Sequence, residues 1–334
     1  MTFTICLIEG DGIGKEVVPA AARVLSALDL PISFTQAEAG WECFCKCGDA
    51  LPEATLDAMR AADATLFGAT QSPLSKVDGY RSPVLSMRKL FDLYANLRPT
   101  RTLPIPGTYQ GVDLLIVREN TEGLYSGRER RADDGQTAIT ERVITAAATE
   151  RIARLAFQQA LRRPRRKVTI VHKANVLKEG DGLFREVCLR VAAEFPQVSL
   201  EEMLVDACAM WLVRDPTRFD VIVTENLFGD ILSDEAAGLI GGLGVAPSAN
   251  LGAGKVAYFE PVHGSAPDIV GRGIANPIGA ILSAAMLLEH LGATEAARRV
   301  EAAVQAALRR GTLTRDLGGN ASTAEMTDAI LKAL

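Results

Sequence analysis

DVIVTENLFGDILSDEAAGLIGGLGVAPSAN, residues 220–250, joins an apolar strand pattern to a helical pattern through a short polar turn. The strand covers residues 221–223 and the turn covers residues 224–226. Asp230 and Asp234 follow at a spacing of four residues, which places both carboxylates on one face of a helix, one turn apart. The stretch therefore predicts a buried strand that leads directly into a helix with two neighbouring acids.

Like charges in this arrangement repel each other and destabilise a helix unless a cation lies nearby. Ligands that are all oxygen favour Mg²⁺ or Mn²⁺ over zinc. The same two acids could instead lie on a solvated helix face. The apolar neighbours and the glycine-rich turn at residues 241–244 favour a site. The pair alone leaves both interpretations open.

Composition excludes several classes of function. With 334 residues the chain can form two domains or one large α/β unit, and its net charge of −5 gives no general attraction to nucleic acid. The one dense basic run, residues 162–167, is interpreted as a solvated helix end. No apolar run is long enough to span a membrane, and no basic region precedes the first apolar run. We expect a cytoplasmic protein with neither membrane nor nucleic-acid partner.

The cysteines and histidines do not form a recognisable metal motif. Cys43, Cys45 and Cys47 lack the C-x-x-C spacing of zinc or redox sites, and no second cluster complements them. The three histidines are too scattered to suggest a histidine-based metal site. Reduced thiols are expected.

Strand and helix patterns alternate along the chain, which predicts a largely parallel sheet covered by helices. Residues 3–8 form a strand, residues 10–14 a glycine turn, and residues 15–28 a helix. A dinucleotide fingerprint G-x-G-x-x-G would require glycine at Lys15, so an ordinary Rossmann site is disfavoured. A turn whose backbone approaches some ligand remains open. The segment 126–148 is expected to form a hairpin or arm.

Charged side chains follow several of the predicted strands. Arg88, Arg98 and Arg118 could bind a substrate with several carboxylates, although each alone could be a surface or salt-bridging arginine. Lys173 follows the strand 167–171, where a lysine can serve in proton transfer or simply face solvent. Asp206 follows a predicted strand over residues 200–205 and is a third candidate metal ligand. A loop rich in glycine and proline follows residue 260 and could bring backbone N–H groups against phosphates.

Six stretches together resemble the β-decarboxylating dehydrogenases, the family of isocitrate, 3-isopropylmalate, homoisocitrate and tartrate dehydrogenases. The resemblance covers essentially the whole chain, and the stretches occur in the family's order: LIEGDGIGKEV, SMRKLFDLYANLRP, VRENTEGLY, HKANV, NLFGDILSDEAAGLIGGLGVAPSAN and EPVHGSAPDIVGRGIANP. One such motif could arise by chance, whereas six in order are specific.

The resemblance implies an α/β fold of the isopropylmalate/isocitrate dehydrogenase type. This fold is non-Rossmann and has two domains with open mixed sheets covered by helices. Residues 1–98 and 247–334 would form the large cofactor-binding domain, and residues 99–246 the small domain with the dimer interface and arm. The family forms dimers with shared active sites, so this protein would be a homodimer, with a tetramer left open, and Lys173 and Asp206 would reach into the partner's cleft.

The resemblance also implies roles for single residues. Lys173 would accept the proton of the substrate hydroxyl, and Tyr125 would protonate the enolate that remains after decarboxylation. The substrate would be bound by Arg88, Arg98, Arg118, Leu85 and Ser72. Mg²⁺ or Mn²⁺ would be held by Asp206, Asp230 and Asp234. NAD would be bound by Asn175, Glu260, His263, Gly264, Ala266, Asp268, Ile269 and Asn276.

Two stretches of the sequence bear on the identity of the substrate, and they favour different members of the family. The form RENTEG, with Glu122, resembles the homoisocitrate and isocitrate enzymes. Val84 and Leu85, in the expected specificity loop before Arg88, are apolar as in isopropylmalate enzymes. We expect oxidative decarboxylation of the tricarboxylate homoisocitrate to 2-oxoadipate, in lysine biosynthesis. The alternatives are the dicarboxylate 3-isopropylmalate, isocitrate as a side substrate, or a non-catalytic regulatory subunit.

Overall fold

The computed structural model describes residues 2–334. Within this range the chain forms twelve strands and eleven α-helices. The strands are β1 (Phe3–Gly10), β2 (Ile32–Gln36), β3 (Ala64–Ala69), β4 (Ala95–Arg101), β5 (Asp113–Glu119), β6 (Glu129–Arg131), β7 (Ala138–Thr140), β8 (Lys167–His172), β9 (Ser199–Leu204), β10 (Val221–Thr224), β11 (Pro247–Leu251) and β12 (Tyr258–Pro261). The helices are α1 (Gly14–Ser26), α2 (Trp41–Cys47), α3 (Glu53–Ala61), α4 (Pro83–Leu90), α5 (Ala146–Leu161), α6 (Gly180–Ala192), α7 (Val205–Arg214), α8 (Asn226–Ile240), α9 (Ile278–His290), α10 (Thr294–Arg309) and α11 (Thr323–Leu331).

The chain divides into two compact units. The first unit comprises Met1–Asp92, Leu103–Tyr109 and Ile240–Leu334, and the second comprises Leu93–Thr102 and Gln110–Leu239. The sequence-based division had its boundaries near Arg98 and Pro247. The chain's first and last parts thus share a unit, while the boundaries lie several residues from those expected.

The first unit contains a mixed sheet in the order β2-β1-β3-β12-β11. β1 pairs in parallel with β2 and β3, β3 pairs in parallel with β12, and only the β11–β12 pair is antiparallel. Residues 5–8 of β1 are all buried. Because successive side chains of a strand point to opposite faces, β1 is covered on both sides.

Helix α9 forms much of the first unit's core. It is apolar on all sides, and residues such as Ile281 and Leu288 are completely buried, as expected for a helix enclosed by other elements. Its buried Ser283 donates its hydroxyl to the carbonyl of Gly279, at 2.8 Å, so no polar group is left unpaired there.

The second unit contains a sheet in the order β4-β5-β10-β8-β9. β5, β10, β8 and β9 are parallel, and β4 runs antiparallel to β5. The three central strands are buried along nearly their whole length and are mostly apolar, which is the pattern of a parallel sheet covered on both faces. Their carboxyl ends lie at one edge, where such sheets place their ligands.

The glycine turn between β1 and α1 is packed against the chain itself. Gly12 has φ +61°, and a Cβ there would lie 2.0 Å from the carbonyl oxygen of Ser265. The N–H of Ile13 donates to that same oxygen at 2.9 Å. The sequence left open what the backbone of this turn approaches. In the structure it packs against the loop of residues 260–277 and donates a hydrogen bond to it.

The expected arm contains the β6–β7 hairpin, and the cysteines carry free thiols. Among residues 2–334, none of the helices combines the length and the apolar character that crossing a membrane requires.

Three expectations were wrong in detail. The specificity segment is not a loop throughout, since Leu85 and Arg88 lie on α4. Asp206 lies in the first turn of α7 because β9 ends at Leu204. The basic run is not simply solvated: Arg163 is mostly buried and pairs with Asp220.

Candidate active site

The site in the second unit begins at Arg118, which is 1% exposed. Arg118 lies near the carboxyl end of β5, opposite Thr224 at the end of the neighbouring parallel strand β10. Helix α8 starts two residues after Thr224, so strand pairing brings Arg118 to its first turns. Its Nε and Nη2 donate to Oδ1 of Asn226 at 3.1 and 2.7 Å, and its Nη1 donates to Asp230.

Arg98 reaches the same helix from β4. Its Nε donates to Oδ1 of Asn96 at 2.7 Å, which orients the guanidinium. Nη1 donates to Oγ of Ser233 at 2.7 Å and to Oδ1 of Asp234 at 2.9 Å. Nη2 lies 3.3 Å from Oδ1 of Asp230. Two of the three predicted arginines thus converge on the predicted acids, with Arg98 in contact with both and Arg118 in contact with Asp230.

Tyr125 completes this group. It lies in a short 3₁₀ turn, Leu124–Ser126, and its hydroxyl donates to Oδ2 of Asp230 at 2.5 Å. The guanidinium carbon of Arg118 lies 5.2 Å from the ring centroid. Burial, and then the neighbouring carboxylate, raise the pKa of Tyr125. The hydroxyl therefore keeps its proton near neutral pH and can act as an acid.

The like-charge repulsion inferred from the spacing of Asp230 and Asp234 is present in the structure. Burial raises the pKa of Asp234 despite the presence of Arg98, and Asp230 raises it further. Two arginines and two acids nevertheless balance in charge, so the pair is compensated within the chain.

The donor set suits a hard divalent cation, since both acids offer carboxylate oxygens. Throughout residues 2–334, however, no three histidine, cysteine, aspartate or glutamate side chains lie close enough together to hold a metal ion. A cation bound by Asp230 and Asp234 would therefore need a further ligand that is not a third such side chain of the same chain. The assignment of Asp206 of a second subunit to that role stays a prediction.

Lys173 and Asp206 contact each other, with Nζ 2.7 Å from Oδ1. β8 ends at His172 and α7 begins at Val205, so the parallel pairing of β8 and β9 brings the two residues together. The hydrogen bond from Lys173 lowers the pKa of Asp206. The two residues that the resemblance assigned to a partner's cleft thus form one ion pair.

Arg88 belongs to the first unit and is buried there. Its Nε donates to the hydroxyl of Tyr258 at 3.2 Å, and its Nη2 lies 3.4 Å from Oε1 of Glu260. Asn250 donates to that same carboxylate oxygen at 2.8 Å. The predicted residues Arg88 and Glu260 are therefore neighbours. Of the other two predicted substrate residues, Leu85 is half-buried and Ser72 is exposed.

The expected cofactor residues, apart from Glu260 and Asn175, follow β12 in one loop of the first unit. Ala266 has φ +40°, a conformation that non-glycine residues rarely adopt, and such strain clusters at functional segments. Asn276 accepts the N–H of Ile278 at the start of α9, and burial lowers the pKa of His263. The remaining members are the exposed Gly264 and Asp268 and the half-buried Ile269. Asn175 is exposed in the second unit, two residues after Lys173.

Sequence reasoning missed the residues that orient the arginines. Asn96 and Asn226 are completely buried, and each accepts hydrogen bonds from one guanidinium. Both lie inside the motifs that were singled out, and Asn226, expected in a turn, is the first residue of α8. Polar amides next to buried strand ends were the available signal.

Two buried arginines from β4 and β5 face two carboxylates on α8, an arrangement in an α/β unit that suits an anionic substrate. Comparison with known proteins identifies the class: the chain belongs to the isocitrate/isopropylmalate dehydrogenase family, which matches residues 4–330. The family and fold predictions are confirmed, and the protein is a dehydrogenase of this family.

Relatives and solved structures agree with this assignment. The chain is 57% identical to an isocitrate/homoisocitrate dehydrogenase of Thermus thermophilus, over 100% of this chain and 99% of that protein. It is 50% identical to a 3-isopropylmalate dehydrogenase of Methanothermobacter thermautotrophicus, with the same coverage. The crystal structure of isocitrate dehydrogenase from Methylococcus capsulatus is 45% identical and superposes with a TM-score of 0.95 over 99% of each chain.

Proposed function

We infer that this dehydrogenase catalyses the NAD- and divalent-metal-dependent oxidative decarboxylation of homoisocitrate to 2-oxoadipate. The observation that carries the inference is the 57% identity, over the whole chain, to a relative named for isocitrate and homoisocitrate. The assembled group of Arg98, Arg118, Tyr125 and Asp230 supports catalysis and argues against a non-catalytic subunit.

Charge balance supports the binding roles. In this chain Arg98 and Arg118 are paired with Asp230 and Asp234. A bound divalent cation would be a new partner for the two carboxylates. A bound polycarboxylate substrate would be a new partner for the two guanidinium groups. Arg88 is assigned to the same substrate by the resemblance alone.

Proton transfer is divided between two residues. Lys173 would accept the proton of the substrate's 2-hydroxyl, and Tyr125, whose raised pKa keeps it protonated, would donate a proton to the enolate. When bound, NAD supplies the hydride acceptor and the cation supplies Lewis-acid stabilisation of negative charge on the substrate.

The cofactor preference rests on Asp268. Its carboxylate is exposed in the 260–277 loop and can accept hydrogen bonds from ribose hydroxyl groups. The same charge would repel the 2′-phosphate of NADP. We therefore propose NAD as the cofactor.

The subunit arrangement is a separate proposal. The resemblance places Lys173 and Asp206 in a partner's active site. Because the two residues form an ion pair within one chain, one subunit could contribute both of them to the same partner site. The protein is accordingly proposed to be a homodimer with shared sites.

A second candidate substrate is 3-isopropylmalate. It is favoured by the apolar Leu85 on α4 and by relatives of that name at 50% identity. Apolar contacts discriminate only modestly, by about 1–3 kcal/mol per methylene, so this activity would accompany the first.

A substrate panel tests the proposal. We expect kcat/KM to be highest for homoisocitrate, lower for isocitrate and 3-isopropylmalate, and higher with NAD than with NADP. Chelation should abolish NADH formation, and Mg²⁺ or Mn²⁺ should restore it. A higher kcat/KM for 3-isopropylmalate than for homoisocitrate would reject the proposed substrate but not the family.

A further inference from the structure

Two buried acids outside the proposed catalytic group share one arginine. Asp181, at the start of α6, is 1% exposed, and Glu225, just before α8, has a side chain that is 2% exposed. Nη1 of Arg142 pairs with Asp181, and Nη2 lies 3.3 Å from Oε1 of Glu225. Burying two carboxylates is costly without a cation, so Arg142 is the group that makes their burial tolerable.

Asp181 holds the backbone of Lys173. Its Oδ2 accepts the N–H of Lys173 at 2.5 Å, while Oδ1 accepts from Arg142. The charge-assisted bond to the guanidinium keeps this carboxylate in one orientation. The position of the Lys173 main chain therefore depends on Arg142.

Glu225 holds the first turn of α8. It accepts the N–H of Phe228 at 2.8 Å and that of Leu227 at 3.2 Å, two of the donors that a helix start leaves unpaired. The guanidinium carbon of Arg142 also lies 4.9 Å from the Phe228 ring centroid. The same helix carries Asp230 and Asp234 on its following turns.

The neighbour of Arg142 in sequence contacts the third functional element. Val143 accepts the N–H of Gly123 at 2.8 Å, and Gly123 directly precedes the turn that contains Tyr125. Segment 142–143 therefore touches the elements that carry Lys173, the α8 acids and Tyr125.

We propose that Arg142 is a positioning residue, which holds the Lys173 backbone and the α8 acids in their catalytic arrangement through Asp181 and Glu225. The proposal rests on the proposed function, in which Lys173 and Tyr125 transfer protons. If the active sites are shared, Lys173 serves the partner's site, while Asp230 and Asp234 serve the chain's own site. Arg142 then links the two sets of residues. Misplacement by about 1 Å can cost about 100-fold in rate, so loss of this connection should lower kcat.

The chain offers a matched control at the opposite end of β8. Arg163 is similarly buried, and its Nε donates to Oδ1 of Asp220 at 2.5 Å. Oδ2 of Asp220 accepts the N–H of Lys167 at 3.0 Å, as Asp181 does for Lys173. Lys167 begins β8, whereas Lys173 follows its end. Arg163 and Asp220 thus repeat the arrangement of Arg142 and Asp181 at the start of β8, where no predicted site residue lies.

The test compares Arg142→Met with Arg163→Met in the full-length protein, at a temperature below both unfolding transitions. We expect both variants to lose thermal stability. Only Arg142→Met should lose kcat, by about 10- to 100-fold, with a smaller change in KM. Arg142→Lys, which keeps one positive charge, should recover part of the loss and serves if the methionine variant does not fold. Equal losses of kcat in the two methionine variants, or a kcat for Arg142→Met within twofold of the wild type, would overturn the proposal.

Hydrogen–deuterium exchange separates this proposal from the proposed function. In Arg142→Met, peptides that cover residues 172–175 and 226–230 should exchange faster, while Arg163→Met should leave them unchanged. If the wild-type protein oxidises none of the three acids, the proposed function fails, and exchange still decides whether Arg142 holds these segments. Unchanged exchange in Arg142→Met would reject the positioning role.

Discussion

Tyr125 shows how much chemistry a single side chain draws from its neighbours. Its hydroxyl donates to Asp230 at 2.5 Å, and its ring lies beside the Arg118 guanidinium. Burial raises its pKa, so it holds a proton at pH 7 that a developing enolate can take. The residue was recognised by its motif, whereas the contacts that keep its hydroxyl protonated come from residues far away in sequence.

Replacing Tyr125 by phenylalanine should impair decarboxylation more than hydride transfer, because only the hydroxyl is removed. We expect product formation to fall by about 100- to 10,000-fold, the range for loss of a general acid, while the first NADH turnover falls much less. Rapid-mixing measurement of NADH, with parallel quantification of the 2-oxo acid released, checks this. Equal loss of both partial reactions would contradict the assigned role.

At the scale of elements, α8 packs directly on the aliphatic part of Arg118. A Cβ on Gly229 would lie 2.6 Å from Cγ and 2.8 Å from Cβ of Arg118, so this glycine permits the contact. Gly238 on the same helix has no atom within 4 Å of such a Cβ. The helix therefore needs glycine at the first position and only tolerates it at the second.

Gly229→Ala should destabilise the protein by about 1–3 kcal/mol through overpacking and should raise KM by displacing Arg118. Gly238→Ala should instead stabilise it by about 0.4–1 kcal/mol, because alanine restricts the unfolded chain. Urea unfolding and steady-state kinetics on both variants provide the comparison. Similar stabilities for the two would show that α8 does not pack tightly against Arg118.

At the scale of the whole molecule, the proposed shared site can be tested by mixing inactive subunits. If Lys173 serves the partner, a heterodimer of Lys173→Ala and Asp230→Asn chains has one site with a complete set of these residues and one that lacks both. Random reassociation of the two variants should then restore about a quarter of wild-type activity. Absence of restored activity, despite heterodimer formation seen by native mass spectrometry, would place Lys173 in its own chain's site.

The histidines together predict a pH dependence of stability. Burial lowers the pKa of His172, His263 and His290 below 6.5. The unfolded chain then binds protons first as pH falls, so this contribution to the unfolding free energy is intact above pH 6.5 and is lost below it. Between pH 7 and pH 5 the wild-type Tm should fall relative to that of a variant with all three histidines replaced by glutamine. Parallel pH profiles of the two proteins would contradict this.

The sequence by itself determined the family, the α/β class and the strands β8, β9 and β10 near the site, because apolar periodicity and the six motifs are local patterns. It also identified Arg98, Arg118, Asp230 and Asp234 as candidates. It did not determine the partners of these charges. Arg98 and Asp234 are 136 residues apart, and they meet because β4 pairs with β5 and β5 with β10.

Only the tertiary structure showed that the arginines neutralise the paired acids and that Arg142 joins Asp181 to Glu225. The reason is physical. A motif shows which side chains follow a strand, whereas burial and strand order decide which charges share a region of low dielectric and must be paired there.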